Sequence, residues 1–561
     1  MNKFGKMLSV ALASLTVLGF ASCKKETTDS DVTEITIWTG GSSEYQMKKG
    51  AKEEEVYKYV EDLYYEQMGQ KIKFNVQFMG QTMKSSMTTQ VTEGTIDVVM
   101  SHVGGGDGLD DWFLGQKTLY RDLRTDIKRS CKNIGKYMNW SDPNPDVAEA
   151  DKLSVNALDR VTTKDGAIIG IPSVITPYKF GILVRKDWMK ACGYTDDEAE
   201  ATANNLTLVN DYEDFEAMAL AMKAKDGINP ANHVISGAIY EIEKTGLLGA
   251  YGLDAGYYTF TKMKDSNGAD IMDYGGQINK DYAKVLEVES RWIHEGILKK
   301  SPDATKVNDY EAEFIAGSTG IFLQNGTIEH LIEVARACKA QNSEAEFTVL
   351  CGLTKDENST DKGNMRNAVG TFMASITKNS PDASTVLTFL NWVYSDPKIY
   401  NICRYGKEGV HWIDNGDGTY SYPEGYSYHN KPYSGILTIV ENQVVSNLQY
   451  KEFTDTEKSW ISKVRKAENY IQGNDTVDYL LYVQDSDLMD KHFAARKAMS
   501  TFTQSIWDAT AEFASAPFST TNGLNKFNDI VDNYHKNANE YSRAVSDLYT
   551  FFMNQKAQEN A

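Results

Sequence analysis

At 561 residues the chain is long enough for two or more domains, each with its own core. Its formal charge of −20, from 58 basic and 78 acidic side chains, argues against a nucleic-acid partner, which needs clustered Lys and Arg. Six cysteines at scattered spacings, with no Cys-x-x-Cys, indicate neither a zinc knuckle nor a disulfide framework, so buried free thiols are expected beyond Cys23.

Residues 1–22 read as a signal peptide: Lys3 and Lys6 are basic, Met7 to Phe20 is apolar and uncharged, and the small residues Ala21 and Ser22 precede Cys23. The apolar run is too short and wrongly flanked for a stable membrane span. Small residues directly before a cysteine resemble a bacterial lipobox, whose thiol is acylated, as by palmitate, and becomes the new N-terminus. Phe20 stands where that pattern prefers Leu. Several acyl chains on Cys23 would hold the protein to the extracytoplasmic face of a membrane, since one chain alone is marginal. Lys24 to Thr33 has no large apolar side chain, so 23–33 reads as lipid anchor and flexible tether. No later apolar run approaches the ~20 residues of a membrane helix.

Strand and helix signals then alternate. Glu34 to Trp38 is a short β-rich run, and Glu53 to Met68 places Val56, Val60, Leu63 and Tyr64 at helical spacing. Ile72, Phe74, Val76 and Phe78 follow with a period of two; Gln81 to Gly94 suits a helix; Thr95 to Ser101 suits a buried strand. This order predicts an α/β domain with a largely parallel sheet, its strands ending in glycine turns over a crevice. A second region opens near Asp165 with a Gly-turned hairpin, two apolar strands and a helix. Helices are expected over Asn210 to Lys225 (capped by Asn), Asp281 to Lys299 and Pro381 to Tyr394. Asp309 to Gln324 reads helix, turn, strand; Phe347 to Leu353 and Gly370 to Thr377 read as strands; the chain from Asp487 onward reads as helical.

No catalytic signature emerges. Gly104 to Gly106 lacks a following Gly-Lys-Ser/Thr, and there is no His-Glu-x-x-His or Gly-x-Ser-x-Gly. The eight histidines show no metal-ligand spacing. Asp414 to Gly418 favours a hairpin turn over a calcium loop, because the run of oxygens at Asp414 and Asp417 is too short for an EF-hand. No cofactor is implied.

Four segments in order carry a family resemblance: 165–194 with Gly170-x-Pro172 and Arg185-Lys186-Asp187-Trp188; 282–298; 313–325 with Phe314-x-x-Gly317; and 389–412 with Trp392-x-Tyr394-Ser395-Asp396 and Tyr405-Gly406-x-Glu408-Gly409-x-His411. Together they resemble the extracellular solute-binding lipoproteins of carbohydrate ABC importers. That resemblance implies a type II, two-lobe periplasmic-binding-protein-like fold like that of maltose-binding protein. The discontinuous lobes, 34–172 plus 320–370 and 173–319 plus 371–561, would be joined by hinge strands near Pro172, Gly320 and Gly370, with extra C-terminal helices. It implies a monomer that captures a sugar in the cleft and delivers it to ABC transporter membrane subunits.

Sugars present apolar C–H faces and a rim of hydroxyls, so their sites combine aromatic rings with amides, carboxylates and imidazoles. Trp38 and His102 at strand ends, Tyr178 beyond the crossing, and Tyr251, Tyr257 and Tyr258 in a Gly-rich loop are the expected ligand contacts, with Gln324, Asn325, His411 and Trp412. Two other classes compete: a SusD-like, almost wholly helical glycan-binding outer-membrane lipoprotein, and a secreted polysaccharide-degrading enzyme.

Overall fold

The computed structural model describes residues 32–39, 49–78, 84–102, 117–141, 154–163, 165–175, 180–228, 233–253, 260–264, 268, 270–274, 279–299, 307–323, 327–360, 362–366, 372–427, 430–450, 453–466, 470–472 and 521–537, with single residues of the remaining C-terminal part. The expected alternation is present at the start. Strand β1 (Thr33–Thr39), helix α1 (Glu53–Met68), strand β2 (Ile72–Phe78), helix α2 (Lys84–Glu93) and strand β3 (Val98–His102) follow one another. α1 buries Val56, Tyr57, Val60 and Tyr64 on one face; Glu53, Glu54 and Glu55 complement its N-terminal dipole, and Gly69 ends it with φ 71°.

The first sheet has the order β2-β1-β3-β9-β4, where β4 is Ile171–Pro172 and β9 is Phe372–Ile376. β1, β2 and β3 are parallel, with Thr33 opposite Ile72 and Trp38 opposite Val99; β9 runs antiparallel to β3 and β4. Side chains alternate between two cores. Ile35, Ile37, Val98 and Met100 join α1 and helix α8 (Ala383–Val393), whereas Trp38 and Val99 face the other way. Burial on both faces is what a parallel sheet covered by crossover helices requires.

The second sheet has the order β6-β7-β5-β8: β5 Ile182–Arg185, β6 Ile235–Ser236, β7 Ile321–Phe322 and β8 Phe347–Leu350. β5 is antiparallel to both β7 and β8, and β6 is parallel to β7. Ile182 and Val184 enter the core beneath helices α4 (Tyr212–Ala224) and α5 (Ala283–His294). Leu183 enters the opposite core with helices α7 (Ile328–Gln341) and α10 (Asp455–Val464). Helix α3 (Lys186–Ala191) follows β5, and helix α6 (Val307–Ile315) precedes β7.

Three expectations need correction. The cap of α4 is the Asp211 carboxylate, which accepts from the Asp214 amide at 2.8 Å, and not Asn210. The segment 320–370, expected with the first lobe, contributes β7 and β8 to the second sheet. Conversely, β9, which lies within the segment 371–561 expected in the second lobe, closes the first sheet. Gly320 is therefore no crossing: its backbone is bound within the second sheet, accepting from Arg185 N–H and donating to Val234. The helical competitor does not fit two sheets built this way.

Other readings hold where they can be seen. The 413–421 segment is a hairpin, Ile413 opposite Ser421, whose Asp414 and Asp417 carboxylates accept from the turn's own Gly416 and Thr419 amides. Cys131, Cys192, Cys338, Cys351 and Cys403 are all free thiols, the first, third and fifth fully buried. Of the C-terminal helices, α11 (Thr521–Asn537) is described; it packs Phe527 against Tyr282 at 6.0 Å between ring centres. Among the described residues no helix is long and apolar enough to cross a membrane. Residues 1–31, with Cys23, and Gly104 to Gly106 lie outside the described residues.

Candidate functional site

Strand direction fixes where the two sheets meet. In the first sheet the C-terminal ends of β1, β2, β3 and β4 share an edge with the start of β9. In the second, the ends of β6, β7 and β8 share an edge with the start of β5. The chain passes from the first edge to the second over 173–181, between β4 and β5, and returns over 351–371, between β8 and β9. Both passages join the same two edges, which makes the space between these edges the candidate site. Loops at strand ends, turned towards such a crevice, are where an α/β fold places ligand contacts.

A third connection reinforces the first. Backbone bonds from Val174 N–H to Glu441 C=O (2.8 Å) and from Gln443 N–H to Val174 C=O (2.7 Å) pin 441–443 beside the crossing. Asn442, fully buried, locks this junction: its Nδ2 donates to Tyr137 C=O and its Oδ1 accepts from Val444. Flanking Asn442, Glu441 and Gln443 stay half-buried.

Here a charged cluster assembles. Helix α9 (Pro397–Tyr405) carries Arg404 in its last turn; Arg404 Nη2 donates to Glu441 Oε2 at 2.7 Å, while Gln443 Nε2 reaches Glu441 Oε1 at 3.4 Å. Gly435 lets the 430–435 loop press on the end of α9. Its φ is 85°, and a Cβ there would meet Arg404 C=O at 2.9 Å. Burial pushes the Glu441 carboxyl up, but Arg404 and Lys431 outweigh it and hold it below the usual carboxylate range. Burial and Arg404 push the Lys431 ammonium down to about 8, against the pull of Glu441, Glu329 and Glu333. Glu441 nevertheless keeps 40% of its side-chain surface. Glu329, in the first turn of α7 and ion-paired with Arg465 at 3.5 Å, approaches from the second sheet.

Aromatic support comes from Tyr405, half-buried beside Arg404 and stacked on Tyr420 at 4.6 Å and Trp412 at 5.2 Å. This corrects two expected contacts. Trp412 is 2% exposed and donates Nε1–H to Gly406 C=O at 2.8 Å; it packs behind Tyr405. His411 is 1% exposed, accepts the Lys407 amide on Nδ1 at 3.0 Å and has Nε2 3.4 Å from Glu55. Burial lowers its imidazole below the ordinary value. Trp38, too, is a core residue, 1% exposed, because β1 is covered on both faces; its buried Nε1–H has no hydrogen-bond acceptor among the described residues.

Tyr251 lies beside the second crossing. Half-buried, it ends a short helix that abuts the second crossing: a Cβ on Gly249 would meet Gly363 C=O at 2.0 Å, and the Lys355 ammonium lies 5.9 Å over the Tyr251 ring. Burial raises its phenol to about 12. His102 closes β3 opposite Phe372 at the cleft edge, its backbone alone being described. Tyr178, Tyr257, Tyr258, Gln324 and Asn325 lie outside the described residues. Sequence reasoning did not single out Arg404, Tyr405, Lys431, Glu441 and Gln443, which the structure brings together here. The usable signal was Arg404-Tyr405 at the end of an amphipathic helix, just before a glycine turn. Among the described residues no three His, Cys, Asp or Glu side chains gather as a metal site.

No protein-family model and no curated protein sequence matches the chain. Solved structures do. The N-glycan transport solute binding protein of Streptococcus pneumoniae is 14% identical, with 92% of this chain and 99% of that one covered and a TM-score of 0.58. An extracellular solute-binding protein of Bifidobacterium longum subsp. infantis is 15% identical, covering 93% and 100%, also at 0.58. An alginate-binding protein is 14% identical, covering 93% and 99%, at 0.58. Identity this low speaks for architecture: the chain has the two-lobe α/β fold of the solute-binding proteins over nearly its whole length.

Proposed function

We propose that the chain is a membrane-anchored, extracytoplasmic solute-binding protein that captures a sugar or oligosaccharide between its two lobes and delivers it to an ABC importer. The observation that carries this reading is the pair of sheet edges joined by both crossings, with Arg404, Glu441, Gln443 and Tyr405 clustered beside the first crossing. Carboxylate, guanidinium and amide groups beside a tyrosine ring are what a sugar's hydroxyl rim and C–H face call for. The glycan-binding proteins that share the fold support the same ligand class. The lobes in this reading follow the sheets, one holding β1–β4 and β9, the other β5–β8. The solute is released chemically unchanged.

A thermal-shift screen of residues 34–561 against oligosaccharides tests the proposal. A ligand at 100 times its dissociation constant adds ~2.7 kcal/mol of stability, and a flat melting temperature across neutral and acidic glycans would overturn it. Anchoring is tested separately: Cys23→Ala moves the protein from the membrane pellet to the soluble fraction. A variant still pelleting after a salt wash contradicts acylation at Cys23.

A further inference from the structure

A second pocket lies away from the cleft. β5 begins at the edge that receives the first crossing and ends on Arg185, so Arg185 sits at the far end of the second sheet. A cavity of about 570 Å³ opens there, lined by Arg185, Trp188, Ile228, Ile315, Gly317 and Gln341 among others. Its size is that of a small-molecule site.

Its polar anchor is rigidly held. Arg185 is 3% exposed. Its Nε and Nη2 donate to Asp187 at 2.8 and 2.5 Å, a bidentate pair that fixes the guanidinium plane. The Trp188 and Phe347 rings lie 4.9 and 5.8 Å from Cζ. Nη1, with two N–H donors, is left over and turned towards Gly317, where a Cβ would stand 3.8 Å from it. Among the described residues no acceptor is bonded to Nη1. Gly317 ends α6 with φ 71°, a conformation that suits glycine and keeps this wall low. Nη1 faces the pocket, where a ligand oxygen can replace water as its acceptor.

Because Asp187 already neutralises the guanidinium, the pocket offers a directed donor beside apolar walls, not net positive charge. We propose that it is a second ligand site, independent of the interlobe cleft, for a small aromatic molecule carrying a carboxylate or amide carbonyl oxygen. The ring would lie against Trp188, Ile228 and Ile315, and the oxygen would accept from Arg185 Nη1.

Ligand-detected saturation-transfer NMR on the full chain tests this with benzoate and benzamide as probes and benzyl alcohol, which lacks the carbonyl, as control. Both probes should bind at concentrations up to about 10 mM, the range of weak millimolar complexes, and benzyl alcohol more weakly. Ala316→Trp, which projects a ring into the pocket from an exposed position, should remove the signal with the melting temperature unchanged. Gln341→Trp, at another lining residue, is the second variant should the first fail to fold. No transfer to either probe, or transfer undiminished in both variants, overturns the proposal. Displacement of benzoate by a cleft-binding oligosaccharide would assign the probe to the cleft and overturn it equally.

Discussion

Trp412→Ala is expected to lower the unfolding free energy by about 3–5 kcal/mol, read from urea denaturation, the usual cost of removing a fully buried tryptophan. The side chain is 2% exposed, contacts Tyr405 and gives its indole N–H to Gly406 C=O. Truncation leaves a cavity and an unbonded carbonyl together. Gly406 cannot easily shift to fill the space, since its φ of 91° and the His411 side chain at 2.9 Å from its virtual Cβ hold the turn. Trp412→Phe keeps most of the volume and loses the hydrogen bond, so it should cost about 1–2 kcal/mol. A stability unchanged by alanine, with lost sugar affinity, would return Trp412 to the ligand site.

Arg404→Met should weaken oligosaccharide binding by about a hundredfold, close to 2.7 kcal/mol, and also reduce stability. Breaking one side of an enclosed ion pair strands the other charge, a loss of about 3–5 kcal/mol in deep interiors. Here Glu441 keeps 40% of its surface, so water screens it and about 1–2 kcal/mol is expected. The double variant Arg404→Met with Glu441→Gln separates the two effects. Removing both charges should restore stability, because no unpaired ion remains, without restoring affinity. Recovery of affinity along with stability would make the pair a structural clamp on the third connection and not a sugar contact.

Much of the fold was legible because local patterns encode it. The period-two run Ile72 to Phe78 and the spacing Val56, Val60, Tyr64 mark a strand and a helix whatever surrounds them. Sheet membership was not legible in this way. Phe347 to Leu350 looks like any buried strand, and only its pairing with β5, more than 160 residues earlier, assigns it to the second sheet. The site followed the same rule. Trp38 and Trp412 stood out by residue type at strand ends and turns, yet burial on both faces of β1 and the self-closed turn at Gly406 absorb them into cores. Arg404 and Glu441 lie 37 positions apart, and no local pattern announces that α9 meets the 441–443 segment beside Val174. Tyr251 was singled out for an aromatic ring in a Gly-rich stretch, and glycine there does serve a close approach, that of Gly249 to Gly363.

In this account the ligand is bound by closure. Each sheet edge would offer half a site, and the crossings between β4 and β5 and between β8 and β9 would act as the hinges. A ligand touching both halves favours the closed form by the contacts it gains there. Moving the balance from mostly open to mostly closed takes about 5.5 kcal/mol of such differential binding. Small-angle scattering of residues 34–561, with and without the oligosaccharide that raises the melting temperature most, measures this directly. The account predicts a smaller radius of gyration at constant mass on saturation. An unchanged scattering profile at saturating ligand would contradict it.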